Sequence, residues 1–326
     1  MPQPDVATIA DLVRVHAAKR PDAIALVVGE RIISFAELDA RSSQAAQAFR
    51  AAGVGTGDRV AFVEKNGAEF FEVVCGLAKL GAVGVPVNWR LAPSLSRRIR
   101  PAFMVADGDN EDLEAIFDRL HVTEELRADH NHLRLCAIDD VYPAEDPGVT
   151  TGSDDVAFLM YTSGTTGSPK GVMLSNNNYF SKATGIADKW RFDADSVSLA
   201  VMPMFHMAGS GWALVGLYEG CTTVVLRDVD SPAILDAVAR HRITNMLLVP
   251  AVIQMLLATP GVAGTDFSSV RAIVYGASPI TDDVLVKGLQ RFGCEFLQVY
   301  GLTETTGSIT QLDDHDPVHR PGLLRS

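Results

Sequence analysis

Residues 156–160 form an apolar run. It leads without a break into Tyr161-Thr162-Ser163-Gly164-Thr165-Thr166-Gly167-Ser168-Pro169-Lys170-Gly171. A strand that empties into such a string has few structural options. Gly164 and Gly167 let the backbone turn and approach a ligand closely. Ser163, Thr165 and Thr166 bring hydroxyl donors, and successive backbone N–H groups can form an anion-binding concavity. Lys170 adds a positive charge. The ligand implied by these groups is a polyphosphate.

Other readings of the string fit less well. A flexible Gly/Ser/Thr linker has no reason to follow a buried strand and end in Lys170-Gly171-Val172-Met173-Leu174. A Walker A loop needs Gly-Lys-Ser/Thr after its second glycine, whereas Ser168-Pro169-Lys170-Gly171 follows Gly167 here. No G-x-G-x-x-G opens a helix after a strand, which removes the dinucleotide fingerprint. No base and orienter are recognisably spaced around Ser163 for a catalytic triad.

The 326 residues suit two subdomains, and 47% apolar against 21% charged residues is ordinary for a globular chain. A net charge of −12 argues against a nucleic-acid partner. A polyphosphate must therefore be held by local donors and a metal, against the global field. Cys75, Cys136, Cys221 and Cys294 are scattered without a C-x-x-C pair, as reduced thiols of a cytoplasmic protein would be. The N-terminus lacks the basic and apolar regions of a signal peptide, and no apolar window is long enough for a membrane span.

Along the chain, helical spacing marks residues 9–19, 36–52 and 68–80, a hairpin is expected at 23–28 and 32–35, and strands at 59–63, 83–86 and 102–105. A helix is expected at 113–120, and 121–150 reads as a polar linker. Beyond it, strands at 197–203, 222–226, 245–249, 270–275 and 295–299 alternate with helices at 210–218, 232–240, 252–258 and 282–291. Helices alternating with short apolar runs imply parallel sheets joined by crossovers. The expected fold is α/β, with two parallel or mixed sheets flanked by helices. The expected division is residues 1–150, a first subdomain with linker, and 151–326, a second α/β subdomain that carries the 161–171 loop.

A second string, Tyr300-Gly301-Leu302-Thr303-Glu304-Thr305-Thr306-Gly307, follows the last of these strands. With the 161–171 loop it resembles the adenylate-forming superfamily of acyl-CoA synthetases, peptide-synthetase adenylation domains and luciferases. Asn88-Trp89-Arg90-Leu91 is also similar to the family. The stretch 94–101 departs from it, being short and basic where the family has an acidic-apolar helix.

The resemblance assigns roles. Thr162, Ser163, Gly164, Thr165, Thr166, Gly167 and Lys170 would hold the phosphates of ATP. Gly276-Ala277-Ser278-Pro279 follows a strand, where open α/β sheets bind ligands, and the family sets adenine there. Gly276 and Ala277 are small enough for a flat base to approach. Tyr300 would stack on adenine, and Thr303 would reach the α-phosphate. Glu304 is the metal candidate, because Mg²⁺ takes only one or two protein carboxylates beside phosphate oxygens; its bland reading is a solvated acid. The acyl pocket is expected around His206, Met207, Gly209 and Trp212, with Val249, Pro250 and Met255 as further wall. Gly209 would supply space and Trp212 a wall. His206 has two readings of equal weight, a neighbour of the acyl carboxylate or a structural histidine.

The implied reaction joins a carboxylic acid to ATP as acyl-AMP, then passes the acyl group to coenzyme A. The apolar stretch 202–217, with no acidic partner for an ammonium group, favours a fatty acid over an amino acid. Two alternatives stand beside this reading, an aryl-acid ligase and a non-catalytic nucleotide- or acyl-binding fragment. Family members continue past residues 321–326 into a small barrel and a mobile domain bearing a catalytic lysine. A polypeptide lacking both is expected to be inactive alone and to self-associate.

Overall fold

The structure is a computed structural model that describes residues 6–88, 103–106, 132–134, 142–162 and 170–312. Its elements begin α1 (Ile9–Lys19), β1 (Ile24–Val28), β2 (Arg31–Ser34), α2 (Phe35–Ala51), β3 (Arg59–Val63), α3 (Ala68–Leu80), β4 (Val83–Pro86), β5 (Phe103–Ala106), β6 (His132–Arg134), β7 (Val156–Thr162) and β8 (Lys170–Ser175). They continue α4 (Asn176–Ile186), β9 (Val197–Ala200), α5 (Met207–Glu219), β10 (Thr222–Val225), α6 (Ser231–His241), β11 (Asn245–Leu248), α7 (Pro250–Ala258), β12 (Ala272–Gly276), α8 (Asp282–Phe292), β13 (Glu295–Leu302) and β14 (Gly307–Leu312).

Two compact units result. One comprises Met1–Ala23 with Ile33–Ser181, the other Ile24–Ile32 with Lys182–Ser326. The first unit carries a six-stranded sheet in the order β6-β5-β3-β4-β7-β8, parallel except for the final β7–β8 pair. Phe62, Phe70 and Phe71 fill its core edge to face, at centroid separations of 6.0 and 5.5 Å. Such pairs add to area burial because ring edges and faces carry opposite partial charge. α2 and α3 pack closely through Gly76, where a methyl group would lie 2.9 Å from the Ser42 carbonyl oxygen.

Lys79 is fully buried on α3, yet each of its ammonium protons finds an acceptor. Nζ donates to Asp39 Oδ1 at 2.6 Å, the Asp39 carbonyl at 2.8 Å and Ser43 Oγ at 2.7 Å. A buried cation is tolerable only when paired and hydrogen-bonded in this way. Asp146 lies 3.8 Å from the same ammonium and takes a bidentate pair from Arg14 at 2.8 and 2.9 Å.

The second unit is built on the eight-stranded sheet ordered β14-β13-β12-β11-β9-β10-β1-β2. The β13-β12-β11-β9-β10-β1 stretch is parallel and β14 returns antiparallel to β13. Helix ends follow local chemistry. Asp230 and Thr281 accept the first free amides of α6 and α8, from Ala233 and Val284, and Gly293 closes α8 in the left-handed region. Among the described residues no helix is long and apolar enough to cross a membrane.

The two-sheet α/β expectation holds, and α1, β3, α3 and β4 fall at the expected boundaries. Three readings are corrected. The stretch 121–150 is not all linker, because His132–Arg134 adds a parallel strand beside β5. Three residues are too few to display a period. β13 does not stop at residue 299 but runs to Leu302, drawn on by the β14 ladder. β8, α4 and β14 had no counterpart in the sequence reading. The expected 113–120 helix, the basic 94–101 stretch, and Trp89, Arg90 and Leu91 lie outside the described residues.

Candidate functional site

In the first unit, β7 and β8 pair so that Thr162 faces Lys170. Thr162 is half-buried and Lys170 exposed, at the feet of the segment joining the two strands. Ser163, Gly164, Thr165, Thr166 and Gly167 lie outside the described residues. Gly171 is confined by its partner strand, since a methyl group there would come within 2.9 Å of the Leu159 side chain.

In the second unit, β13, β12, β11 and β9 are adjacent and parallel, so their carboxyl ends share one edge of the sheet. The chain leaves those ends at Thr303-Glu304, Ala277-Ser278, Val249-Pro250 and, after a short loop, His206-Met207. The candidate residues of this unit are therefore brought to one sheet edge from four separate stretches of sequence. Ligands of open α/β sheets lie at such an edge.

Gly276 ends β12 in full burial, and a methyl group there would meet the Val299 carbonyl oxygen at 2.4 Å. Strand-to-strand packing therefore already demands glycine. Ala277 has φ +66°, a conformation L residues seldom adopt, and it is exposed together with Ser278. The strained turn lifts the chain away from the sheet between the buried strand and α8.

Tyr300, near the end of β13, is 61% exposed. The β13–β14 register shifts between Tyr300 and Gly301, and a methyl group on Gly301 would overlap the Gly307 carbonyl at 1.8 Å. Thr303 and Glu304 lie in a single 3₁₀ turn, Thr303–Thr305, with Glu304 exposed. Thr306 and Gly307 then take left-handed φ of 57° and 89°. Met207 of α5 lies against this turn, 3.4 Å from where a Gly307 methyl group would sit.

His206 is exposed, stands just before α5, and its ring contacts Phe205 at a centroid distance of 4.4 Å. Its carbonyl accepts from the Ser210 amide at 2.9 Å and the Ser210 hydroxyl at 3.0 Å. Gly209 is buried, and a methyl group on it would sit 2.3 Å from the Pro203 carbonyl oxygen and 2.5 Å from that of Met202. Trp212 is buried too, stacked on Trp190 at 5.5 Å and edge-on to Phe192 at 4.9 Å. Packing thus accounts for both residue types without a ligand. The same holds for the apolar composition of α5, whose residues from Trp212 to Tyr218 are all buried. Val249 is half-buried, Pro250 buried, and Met255 exposed.

No local pattern in the sequence marks what holds β14 in place. Lys182 Nζ donates to the Ser308 carbonyl, and Trp190 Nε1 donates to Gln311 Oε1 at 3.0 Å. Burial pushes the Lys182 ammonium below the usual lysine range. Among the described residues no three His, Cys, Asp or Glu side chains cluster to hold a metal. Glu304 is a single exposed carboxylate. Mg²⁺ suits a site with one protein carboxylate.

Comparison with known proteins agrees with this architecture. Residues 13–324 match the family described as AMP-binding enzyme. A fatty acid–[acyl-carrier-protein] ligase, ScoC, of Streptomyces coeruleorubidus is 32% identical over 98% of this chain and 62% of its own length. A feruloyl-CoA synthase of an Amycolatopsis species is 34% identical over 91% of this chain and 60% of its own. The inhibitor-bound N-terminal domain of FACL13 from Mycobacterium tuberculosis superimposes with a TM-score of 0.89 at 27% identity, covering 97% of this chain and 81% of that one. The chain spans about three fifths of the length of these two curated relatives. With the family matched across nearly all of its residues, the chain belongs to the AMP-binding enzymes.

Proposed function

We propose that this chain binds ATP and a carboxylic acid as part of an AMP-forming acid–thiol ligase. The observation that carries the reading is the shared sheet edge to which β9, β11, β12 and β13 deliver His206, Val249, Ala277 and Thr303-Glu304. In the first step the acid's carboxylate oxygen bonds to the α-phosphorus of ATP. The bond from that phosphorus to the bridging oxygen breaks, and pyrophosphate leaves. In the second, the sulfur of coenzyme A attacks the acyl carbon and AMP departs. The substrate carboxylate is its own nucleophile, so the protein's contribution is position and charge stabilisation.

In this reading Lys170 and the hydroxyls of Thr162, Ser163, Thr165 and Thr166 hold the phosphates. Gly276, Ala277, Ser278 and the ring of Tyr300 hold adenine. Thr303 donates to the α-phosphate, and Glu304 supplies the one protein carboxylate to Mg²⁺. The metal, when bound, neutralises phosphate charge. His206, Met207, Val249 and Pro250 border the acid. Gly209 and Trp212 support this wall from within the core. Cys75, Cys221 and Cys294 are unbridged, which supports a reducing, cytoplasmic setting.

A fatty acid is the first candidate, from the likeness to the fatty acid–[acyl-carrier-protein] ligase. An aryl acid is the second, from the 34% identity to the feruloyl-CoA synthase. ATP–pyrophosphate exchange across a panel of alkyl and aryl acids tests the proposal, run on this chain and on any longer form. Exchange that depends on one class of acid is the expected result. No exchange with any acid in the longer form would overturn it.

A further inference from the structure

We infer that Thr305 is a positioning residue that fixes the metal-facing carboxylate of Glu304; this rests on the reading of Glu304 given above. The turn carrying Thr303 and Glu304 is only three residues long and its own backbone supplies little closure. The Thr306 amide donates to the Thr303 carbonyl at 3.0 Å. The Thr305 hydroxyl does the rest. Oγ1 accepts the Leu302 amide at 3.0 Å, where β13 ends, and donates to the Gly307 carbonyl at 2.7 Å, where β14 begins. One side chain thus clasps the two strands on either side of Glu304.

The surroundings make that clasp consequential. Thr306 and Gly307 sit at left-handed φ, which a threonine adopts only at a cost, so the turn is held in a conformation it would not keep by itself. β14 is fixed further along by Lys182 on Ser308 and Trp190 on Gln311. Gly301 cannot shift toward Gly307 because the two backbones already touch. The strands are therefore held, and freedom remains only in the turn. Without the hydroxyl, the turn that carries Glu304 keeps only the Thr306-to-Thr303 hydrogen bond between its two held strands. A carboxylate that must meet a metal in a fixed geometry then loses pre-organisation.

The test uses this chain and its Thr305→Val and Thr305→Ser variants, with Glu304→Gln as reference. ATP binding is followed by calorimetry in EDTA and across a Mg²⁺ series. Hydrogen exchange at Leu302 and the ligand-free melting temperature are measured alongside. Thr305→Val should raise the half-saturating Mg²⁺ concentration by roughly two- to tenfold, the equivalent of one hydrogen bond. Metal-free ATP affinity should stay unchanged, and the Leu302 amide should exchange faster. Thr305→Ser should restore the parent behaviour, and Thr305→Ala, which also lacks the hydroxyl, carries the test if the valine variant does not fold. Parent-like Mg²⁺ dependence in a folded Thr305→Val protein overturns the clasp while leaving the function intact. If Glu304→Gln itself leaves the Mg²⁺ dependence unchanged, the metal role of Glu304 fails and the inference falls with it.

Discussion

Gly276 and the Val299 carbonyl face each other so closely that a methyl group on the glycine would lie 2.4 Å from the oxygen. Two strands of the site-bearing sheet are thereby locked at the point where the chain turns out toward the candidate ligand. Gly276→Ala should push β12 from β13 and destabilise the protein by about 1–3 kcal/mol, the range for overpacking a filled core. Urea unfolding measures it, and a stability equal to the parent's would show that the strands can part without cost.

Gly209 stands in the same relation to the Pro203 and Met202 carbonyls. Gly209→Ala is therefore expected to lower the melting temperature. Acyl-chain preference should shift only through that loss of structure. A variant with parent stability and an altered preference would instead place Gly209 in the acid pocket.

The Thr223 hydroxyl on β10 is buried and has no hydrogen-bond partner among the described residues. An unsatisfied buried donor carries a desolvation cost of about 1–3 kcal/mol that an apolar isostere avoids. Thr223→Val should raise stability in thermal unfolding. A fall would mean that the hydroxyl meets a partner in solution, such as a buried water.

Asp146 gives a pH dependence. Burial pushes its carboxyl up, but the Arg14 hydrogen bonds, the Gly148 amide and the charges of Arg14 and Lys79 outweigh it, holding the group below the usual carboxylate range. A carboxyl whose folded value is depressed contributes stability that is complete above its unfolded value, near 4. That stability is lost as pH falls through the lower folded value. Asp146→Asn should thus flatten the acid limb of stability below about pH 4 and lower the plateau at neutral pH. An unchanged acid limb in denaturation at graded pH would rule out the Arg14 pair as its source.

Lys170→Ala tests the phosphate loop. The lysine is exposed opposite Thr162. If it reaches a phosphate, its removal deletes a charge-assisted bond worth about 1.5–3 kcal/mol. Calorimetry with MgATP should show that loss, and an unchanged affinity would remove Lys170 from the nucleotide site.

Several features needed only the sequence. The alternation of apolar runs with helical spacing marked α1, β3, α3 and β4 to the residue, because each is a local pattern with its own period and stop signal. The loop at 161–171 and the string at 300–307 were legible for the same reason: the glycines, hydroxyls and charges that suit phosphate are adjacent in the chain. What the sequence could not display was set by partners distant in it. The short β6 and the continuation of β13 through Leu302 exist because neighbouring strands supply their hydrogen bonds. Gly276 and Gly209 read as room for a ligand, and only the fold shows that the backbones of Val299, Met202 and Pro203 already demand glycine there. Trp212 reads as pocket wall in the sequence and as a core residue beside Trp190 and Phe192 in the fold, because a buried helix and a ligand wall share one apolar composition. The gathering of His206, Val249, Ala277 and Glu304 at one edge follows from the strand order β13-β12-β11-β9. That order is decided by which strands pair in space, a long-range choice that no local period records.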